Sequence, residues 1–560
     1  MTTALDQMST AVVAWPPDDV RRYRESGTWG TKTIPQEFAA TAARRPDVDA
    51  VVTPTQTLTY RELDERSDRL AAALIGLGLE RGERVLLQVD NRAETIVLWY
   101  GLLKAGLVPV ATLTLHRRHE IGAIAEQTLA AAHAVIADDP KFDLVEFARQ
   151  TSKEHESLRH VLTIGGSDDQ PGAHSVQTLI DSVQPADARP VVAERVAQAD
   201  PDDVAVFQLS GGTTGTPKVI PRLHAEYWSN AVGYARRLGW HEDIRVAHLI
   251  PIIHNAGITC GLHAAHSVGG TLVMGVPTDV FELYPKGAVT DGLLSPASVL
   301  QLRQFPEFED VVANLERVIL SGAKVPKEAF DEFAARGVHV AQLFGMGEGP
   351  FLVTRLTDPA QLRNETVGSP LFDEDEVVIL VPGTEVPVAD GEVGELCFKG
   401  SSTICGYYAA EEHNKRAFTS TGALRTGDLA MWQTVDGARG ISIEGRIKDL
   451  INRGGEKINA EEVEVLLLQH PRVVAAALVP MPDRKLVERA CAYLVTVGGP
   501  LSMQEVQAHM DALGVAKYKW PERLEHIEAL PTTAVGKVSK ALMREDVTGK
   551  LEREAAARST

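Results

Sequence analysis

The run Ser210-Gly211-Gly212-Thr213-Thr214-Gly215-Thr216-Pro217-Lys218 concentrates glycines, hydroxyls and a lysine in one short stretch. Glycines let successive backbone amides turn inward, and such a nest with a lysine beside it suits polyphosphate. It is not a Walker-type loop, because Pro217 precedes the lysine and no Ser or Thr follows it. A flexible Gly/Thr loop between a strand and a helix is the plainer reading of the same residues. Two other chemistries find less support. His155-Glu156 meets its next histidine at His160, one residue beyond the spacing that puts two metal ligands on one helical face, so that segment reads as a solvated helix. No G-x-S-x-G elbow occurs, which leaves a hydrolase of that type without a nucleophile.

A phosphate loop needs a scaffold, and the chain supplies one. From Thr33 to about Gly166, helix-like and strand-like segments alternate. Thr59 is placed to cap a helix from Tyr60 to Leu77, Arg84 to Val89 reads as a strand, Ala93 to Ala105 as a helix and Val108-Pro109-Val110 as a strand. The alternation returns between about Val204 and Phe344, which points to wound α/β architecture with a mostly parallel sheet. After Gly368 the texture changes to short strands with turn signals, at Glu376 to Val381, Gly394 to Phe398 and Gly440 to Ile443, as in an antiparallel or barrel-like segment. The last hundred or so residues read as a separate small α+β domain, with a helix from Ala460 to Gln469, strands at Val474 to Val479 and Arg489 to Val495, and a frayed tail from Glu552 to Thr560.

Composition narrows the function classes. The 560 residues include 56 Lys+Arg and 76 Asp+Glu, a formal charge of −20 that disfavours nonspecific binding to nucleic acid or an anionic membrane. Cys260, Cys397, Cys405 and Cys491 show no CxxC spacing and read as reduced thiols of a cytoplasmic protein. The N-terminus lacks a basic, apolar signal, and the apolar stretch Gly257 to Val276 is broken by His263, His266 and glycines, so neither a leader nor a membrane span is expected.

Six segments then occur in a fixed order: Ser210 to Lys218, Phe344-Gly345-Met346-Gly347-Glu348-Gly349, Arg425-Thr426-Gly427-Asp428, Gly445-Arg446-Ile447-Lys448-Asp449, Asn452-Arg453-Gly454-Gly455-Glu456-Lys457 and Gly536-Lys537-Val538-Ser539-Lys540. Together they resemble the adenylate-forming superfamily of acyl-CoA synthetases, luciferases and nonribosomal-peptide adenylation domains, and within it the stand-alone aryl-acid ligases that activate salicylate or dihydroxybenzoate. The resemblance runs from about Thr33 to Arg544. It implies an α/β fold: a large N-terminal domain, residues 1–447, of two α/β subdomains plus a small β-barrel, and a small mobile α+β C-terminal domain, residues 448–560, with a hinge at Lys448. It also implies ATP and Mg²⁺ as cofactors and two half-reactions, in which a carboxylate and ATP give acyl-AMP and pyrophosphate and a thiol then takes the acyl group.

The same resemblance implies roles for residues. Ser210, Gly211, Gly212, Thr213, Thr214, Gly215 and Lys218 would hold the phosphates, with Gly322, Ala323, Phe344, Gly345, Met346 and Gly347 around the nucleotide. Asp428 would take the ribose hydroxyls, Arg446 the ribose or phosphate, and Glu348 would help to hold Mg²⁺. Lys537 would bridge the substrate carboxylate and the α-phosphate, while Gly454, Gly455 and Lys457 would lie near the pantetheine tunnel. His254, Asn255, Cys260, Ser321 and Phe351 would surround the aryl acid, Asn255 pairing with an ortho hydroxyl. Cys260 and Phe351 stand where dihydroxybenzoate enzymes tend to have a serine and a valine, which favours salicylate, since an unpaired buried hydroxyl costs roughly 1–3 kcal/mol. Ala256, where an aromatic is usual, Ser321 in place of a common glycine, and an apparent one-residue shortening before Gly261 could reshape the pocket for a substituted salicylate, an anthranilate or a hydroxypicolinate. The acceptor would come in trans, as coenzyme A or an aryl carrier protein. The competing readings are an acyl-CoA ligase for another aryl acid, 2,3-dihydroxybenzoate included, and a nucleotide-binding protein of this fold without turnover.

Overall fold

Short strands such as Arg84–Gln88 and Ala132–Ile136, apolar but for Arg84, Gln88 and His133, are buried along their whole length, the condition of a parallel sheet covered by helices on both faces. The computed structural model describes residues 4–166, 171–210, 217–322, 325–454, 456–483, 485–533 and 538–559. By density of internal contacts the chain divides into two units, residues 1–377 with 398–424 and 434–440, and residues 378–397 with 425–433 and 441–560. The expected boundary at 447/448 falls inside the second unit.

The first unit contains two large sheets. One runs in the order His174–Ser175, His160–Ile164, Ala132–Ile136, Arg84–Gln88, Val108–Val110, Val204–Leu209, Val219–Leu223. Its strands are parallel except for the last pair, which turns back on itself. The other sheet has Ser369–Pro370, Phe351–Val353, His339–Gly345, Arg317–Ser321, Asp291–Leu294, Arg245–His248, Thr271–Met274, Asp49–Val52 and Thr57–Thr59 in that order. Its centre is parallel, and its edges are antiparallel. Thr59 caps the helix Tyr60–Gly76 as expected: its Oγ1 accepts the Glu62 N–H at 3.2 Å while the Glu62 carboxylate accepts the Thr59 N–H at 2.8 Å.

The short strands expected after Gly368 form a four-stranded sheet, Glu376–Leu380, Gly394–Lys399, Leu424–Val435, Ala438–Arg446, in sequence order. Within the second unit a further sheet carries Glu456–Asn459, Leu450–Arg453, Val487–Thr496 and Val473–Asp483, with Arg523–His526 pairing parallel to Val487–Thr496. Its core gathers Ile451, Ile458, Val463, Leu478, Leu494 and Met510.

Two local expectations are corrected. His155 is the C-terminal cap of the helix Leu144–Glu154, and His160 opens the strand His160–Ile164, so the segment between them is a turn and not a solvated helix. The tail does not fray at Glu552, because the helix Lys540–Ser559 runs through it. Arg523 Nη2 holds Glu554 at 2.7 Å, an anchor from a distant strand that the tail's own composition does not announce. All four cysteines are free. Among the described residues no helix is long and apolar enough to cross a membrane.

Candidate functional site

In wound α/β sheets, ligands collect beyond the carboxyl ends of the parallel strands, where loops leave the sheet. Three of the expected segments leave the second sheet at that edge. Residues 249–256 follow Arg245–His248, Gly322 follows Arg317–Ser321, and residues 346–350 follow His339–Gly345. Ser321 Oγ donates to the Leu343 carbonyl at 2.8 Å and so ties two of these strand ends together.

Asn255 is buried at this edge, and its amide is heavily used. Its Oδ1 accepts from Tyr227 Oη at 2.9 Å, Arg222 Nη1 at 3.3 Å and Thr259 Oγ1 at 3.4 Å. Its Nδ2 donates to the Met346 carbonyl at 3.1 Å, and an amide nitrogen carries a second hydrogen. Burial pushes the Tyr227 phenol up to about 12, so it meets Asn255 as a neutral donor. His254 precedes Asn255, and its Nδ1 accepts the Ala256 N–H at 3.3 Å.

Behind Asn255 the chain enters a π-helix, Gly257–His263, a wide turn that recurs at functional sites. Gly257 is required there, because a Cβ would lie 2.3 Å from the Ile252 carbonyl. Cys260 lies in this turn and is 2% exposed; burial pushes its thiol up, so it stays a neutral, weakly polar packing group. Phe351 pairs in register with Gly345 and packs over it. Its ring lies 6.4 Å from that of Tyr234.

Glu348 stands in the turn after His339–Gly345 and is 6% exposed. Tyr407 Oη donates to its Oε1 at 2.8 Å, and the Glu348 carbonyl accepts the Ile404 N–H at 2.9 Å. Gly349 has φ +113°, and a Cβ would lie 1.6 Å from the Ser402 carbonyl, so only glycine lets the turn close on that segment. The turn beside Asn255 is therefore held from both sides. At the base of the glycine-rich loop, Ser210 N–H donates to the Lys218 carbonyl and Lys218 N–H to Ser210 Oγ, each at 3.0 Å. Gly211, Gly212, Thr213, Thr214 and Gly215 of that loop lie outside the described residues, as do Ala323, Gly455 and Lys537.

The second unit brings together another expected pair. Arg446 Nε lies 2.8 Å from Asp428 Oδ1, with the carboxylate buried and the guanidinium half-exposed. Gly427, at φ +74°, turns the chain just before Asp428. Lys448 lies in the 3₁₀ turn Ile447–Asp449; burial and then the neighbouring Arg446 lower its ammonium below the usual lysine range. The hairpin Leu450–Arg453/Glu456–Asn459 carries Gly454, whose N–H donates to the Leu486 carbonyl at 2.7 Å, and sets Lys457 opposite Asn452.

Sequence reasoning did not single out Arg222, Tyr227 or Tyr407. Arg222 and Glu226 left one signal, opposite charges four residues apart. Tyr407 left none, since its partner is 59 positions away.

These features define a wound α/β protein whose loops gather at the carboxyl edge of a mostly parallel sheet. The chain belongs to the AMP-binding enzyme family, whose description matches residues 38–408, and the C-terminal domain of that family matches residues 462–537. It is 37% identical over 546 residues to the salicyl-AMP ligase / salicyl-S-ArCP synthetase of Mycobacterium tuberculosis, covering 95% of this chain and 94% of that protein. It is 35% identical over 545 residues to the 2,3-dihydroxybenzoate-AMP ligase of Bacillus subtilis, covering 96% and 98%. Among solved structures, apo MbtA from Mycobacterium smegmatis superposes with a TM-score of 0.72 at 34% identity, covering 96% of this chain and 99% of that one.

Proposed function

We propose that this enzyme uses ATP to activate an aromatic carboxylic acid, salicylate before its hydroxylated relatives, and then transfers the acyl group to a thiol. In the first half-reaction a carboxylate oxygen attacks the α-phosphorus, and the bond to pyrophosphate breaks. In the second, a thiolate attacks the acyl carbon and AMP leaves. Two anions repel, so the first step needs charge neutralisation and in-line positioning. Lys537 and the Thr213-Thr214 loop are assigned to that task by the order of motifs, Asp428 and Arg446 to the ribose side, and Lys448 to the hinge between half-reactions. Glu348 supplies one hard carboxylate oxygen donor, of the kind that would hold Mg²⁺. When bound, the ion would neutralise phosphate charge.

The observation that carries the reading is the buried Asn255 amide beside the Met346–Glu348 turn, with an N–H left over after its protein bonds are made. An ortho oxygen next to a carboxylate is the natural partner for it. Neutral Cys260 and bulky Phe351 support salicylate over a catechol acid, because neither pairs well with a second hydroxyl. The thiol is coenzyme A or the pantetheine of a carrier protein. Pyrophosphate exchange with salicylate, 2,3-dihydroxybenzoate, benzoate, anthranilate and hexanoate tests the reading. Salicylate should give the highest kcat/KM, benzoate should be weak, and Cys260→Ser should narrow the gap to 2,3-dihydroxybenzoate. Highest activity with hexanoate would overturn it.

A further inference from the structure

Arg222 has no solvent contact, and each part of its guanidinium is engaged. Nε and Nη2 form a fork on Glu226, Nη1 donates to the Gly347 carbonyl at 2.9 Å and to Asn255 Oδ1, and Nη2 also reaches the Ser402 carbonyl at 3.3 Å. The guanidinium carbon lies 4.4 Å from the centre of the Tyr227 ring. A fully buried group held by this many partners has one orientation.

That orientation dictates the amide of Asn255. A guanidinium only donates, and the Met346 carbonyl only accepts. Turning the amide over would set its NH₂ against Arg222 and its oxygen against Met346, with both bonds lost and two repulsions gained. The side-chain oxygen therefore faces Arg222, and with Tyr227 and Thr259 as further donors it has no capacity left to accept from a ligand. Only an N–H remains for the acid.

We infer that Arg222 is a positioning residue that fixes Asn255 as an obligate donor, so the enzyme takes acids whose ortho substituent accepts a hydrogen bond and discriminates against an ortho amine. This rests on the aryl-acid reading above. A phenol or phenolate oxygen has lone pairs to offer, whereas the nitrogen of an aromatic amine has its pair delocalised into the ring and presents N–H groups that Asn255 cannot receive. A site that leaves buried polar groups unpaired rejects the wrong ligand more strongly than one that merely loses a contact.

The test is pyrophosphate exchange by the full-length enzyme with salicylate, anthranilate and benzoate. Wild type should prefer salicylate over anthranilate in kcat/KM by about 10- to 100-fold. Arg222→Lys keeps the charge but not the fork, and should lower salicylate about tenfold more than benzoate, chiefly through KM. Because that variant risks misfolding beside the buried Glu226, Asn255→Asp provides a second arm. It keeps the size and the partner Arg222, removes the N–H, and should collapse or invert the salicylate-to-anthranilate ratio. Near-equal wild-type turnover of salicylate and anthranilate, or a uniform loss for all three acids in both variants, would overturn the inference while the aryl-acid reading stands. No exchange with any aromatic acid would overturn that reading and the inference with it.

Discussion

Tyr407 donates its hydroxyl to Oε1 of Glu348 at 2.8 Å, joining residues 59 positions apart. Burial, and then the adjacent carboxylate, hold the phenol well above its usual range, so it remains a neutral donor at any physiological pH. The bond fixes one oxygen of the carboxylate expected to meet the metal and leaves its orientation little freedom.

Tyr407→Phe should therefore raise the Mg²⁺ concentration needed for half-maximal adenylation several-fold while the KM for the acid changes little. Groups that orient a ligating side chain typically account for about 10- to 100-fold in metal affinity or activity, and one of several supports should fall at the lower end. Titration of exchange activity with Mg²⁺ measures it. An unchanged Mg²⁺ profile would remove Tyr407 from the site.

Tyr234 gives a prediction of the opposite sign to most core substitutions. Its hydroxyl is buried and has no hydrogen-bond partner among the described residues, while its ring packs edge-on to Trp240. Tyr234→Phe keeps the ring and removes an unpaired polar group, so unfolding free energy should rise by about 1 kcal/mol. Denaturant unfolding of both proteins checks this, and a loss of stability would show that the hydroxyl is satisfied.

Buried histidines set the acid limit. Burial pushes His133, His224 and His248 down to about 3 and His266 to about 4. His224 Nδ1 accepts the Ile34 N–H at 3.4 Å, as only a neutral imidazole can. In the unfolded chain these groups titrate near 6.5, so between about pH 4 and 6.5 the unfolded state binds more protons. Their contribution is present above pH 6.5 and is lost as pH falls, each group at about 1.4 kcal/mol per pH unit. Asp375, pushed up to about 7 by burial, works in the other direction, since its proton stays on in the folded state while the unfolded chain releases it above pH 4. Four groups outweigh one. The thermal midpoint should hold near pH 7 and drop steeply below pH 6, and a flat profile down to pH 4.5 would contradict the assignment.

Lys537 is assigned to the first half-reaction alone. Lys537→Ala should slow acyl-AMP formation by about 10²- to 10³-fold, the usual cost of one preorganised charged donor, and leave thioester formation from supplied acyl-AMP nearly intact. Lys448→Pro should do the reverse, because fixing φ in the turn after Arg446 hinders rotation between the half-reactions. Equal slowing of both steps by either variant would count against its assignment.

The parts of the fold legible in the sequence are those that local chemistry determines. The Thr59 cap on the helix Tyr60–Gly76 and the strand Arg84–Gln88 follow from short-range patterns. The order of motifs pointed to Glu348, Asp428 and Arg446 and the family resemblance to Asn255, and the structure sets Arg446 on Asp428 as neighbouring partners. The polar frame behind Asn255 was not legible, because Arg222, Tyr227, Met346 and Ser402 meet only through tertiary packing. The π-helix at Gly257–His263 was hidden too, since no periodicity in the sequence announces its wide turn.

The most direct measurement is identification of the products when the enzyme is mixed with salicylate and Mg-ATP in the absence of any thiol. The account predicts salicyl-AMP and pyrophosphate in equal amounts, with the adenylate consumed and AMP released only when coenzyme A or a pantetheinylated carrier protein is added. Formation of ADP and phosphate, or pyrophosphate release that does not depend on an aromatic acid, would contradict it.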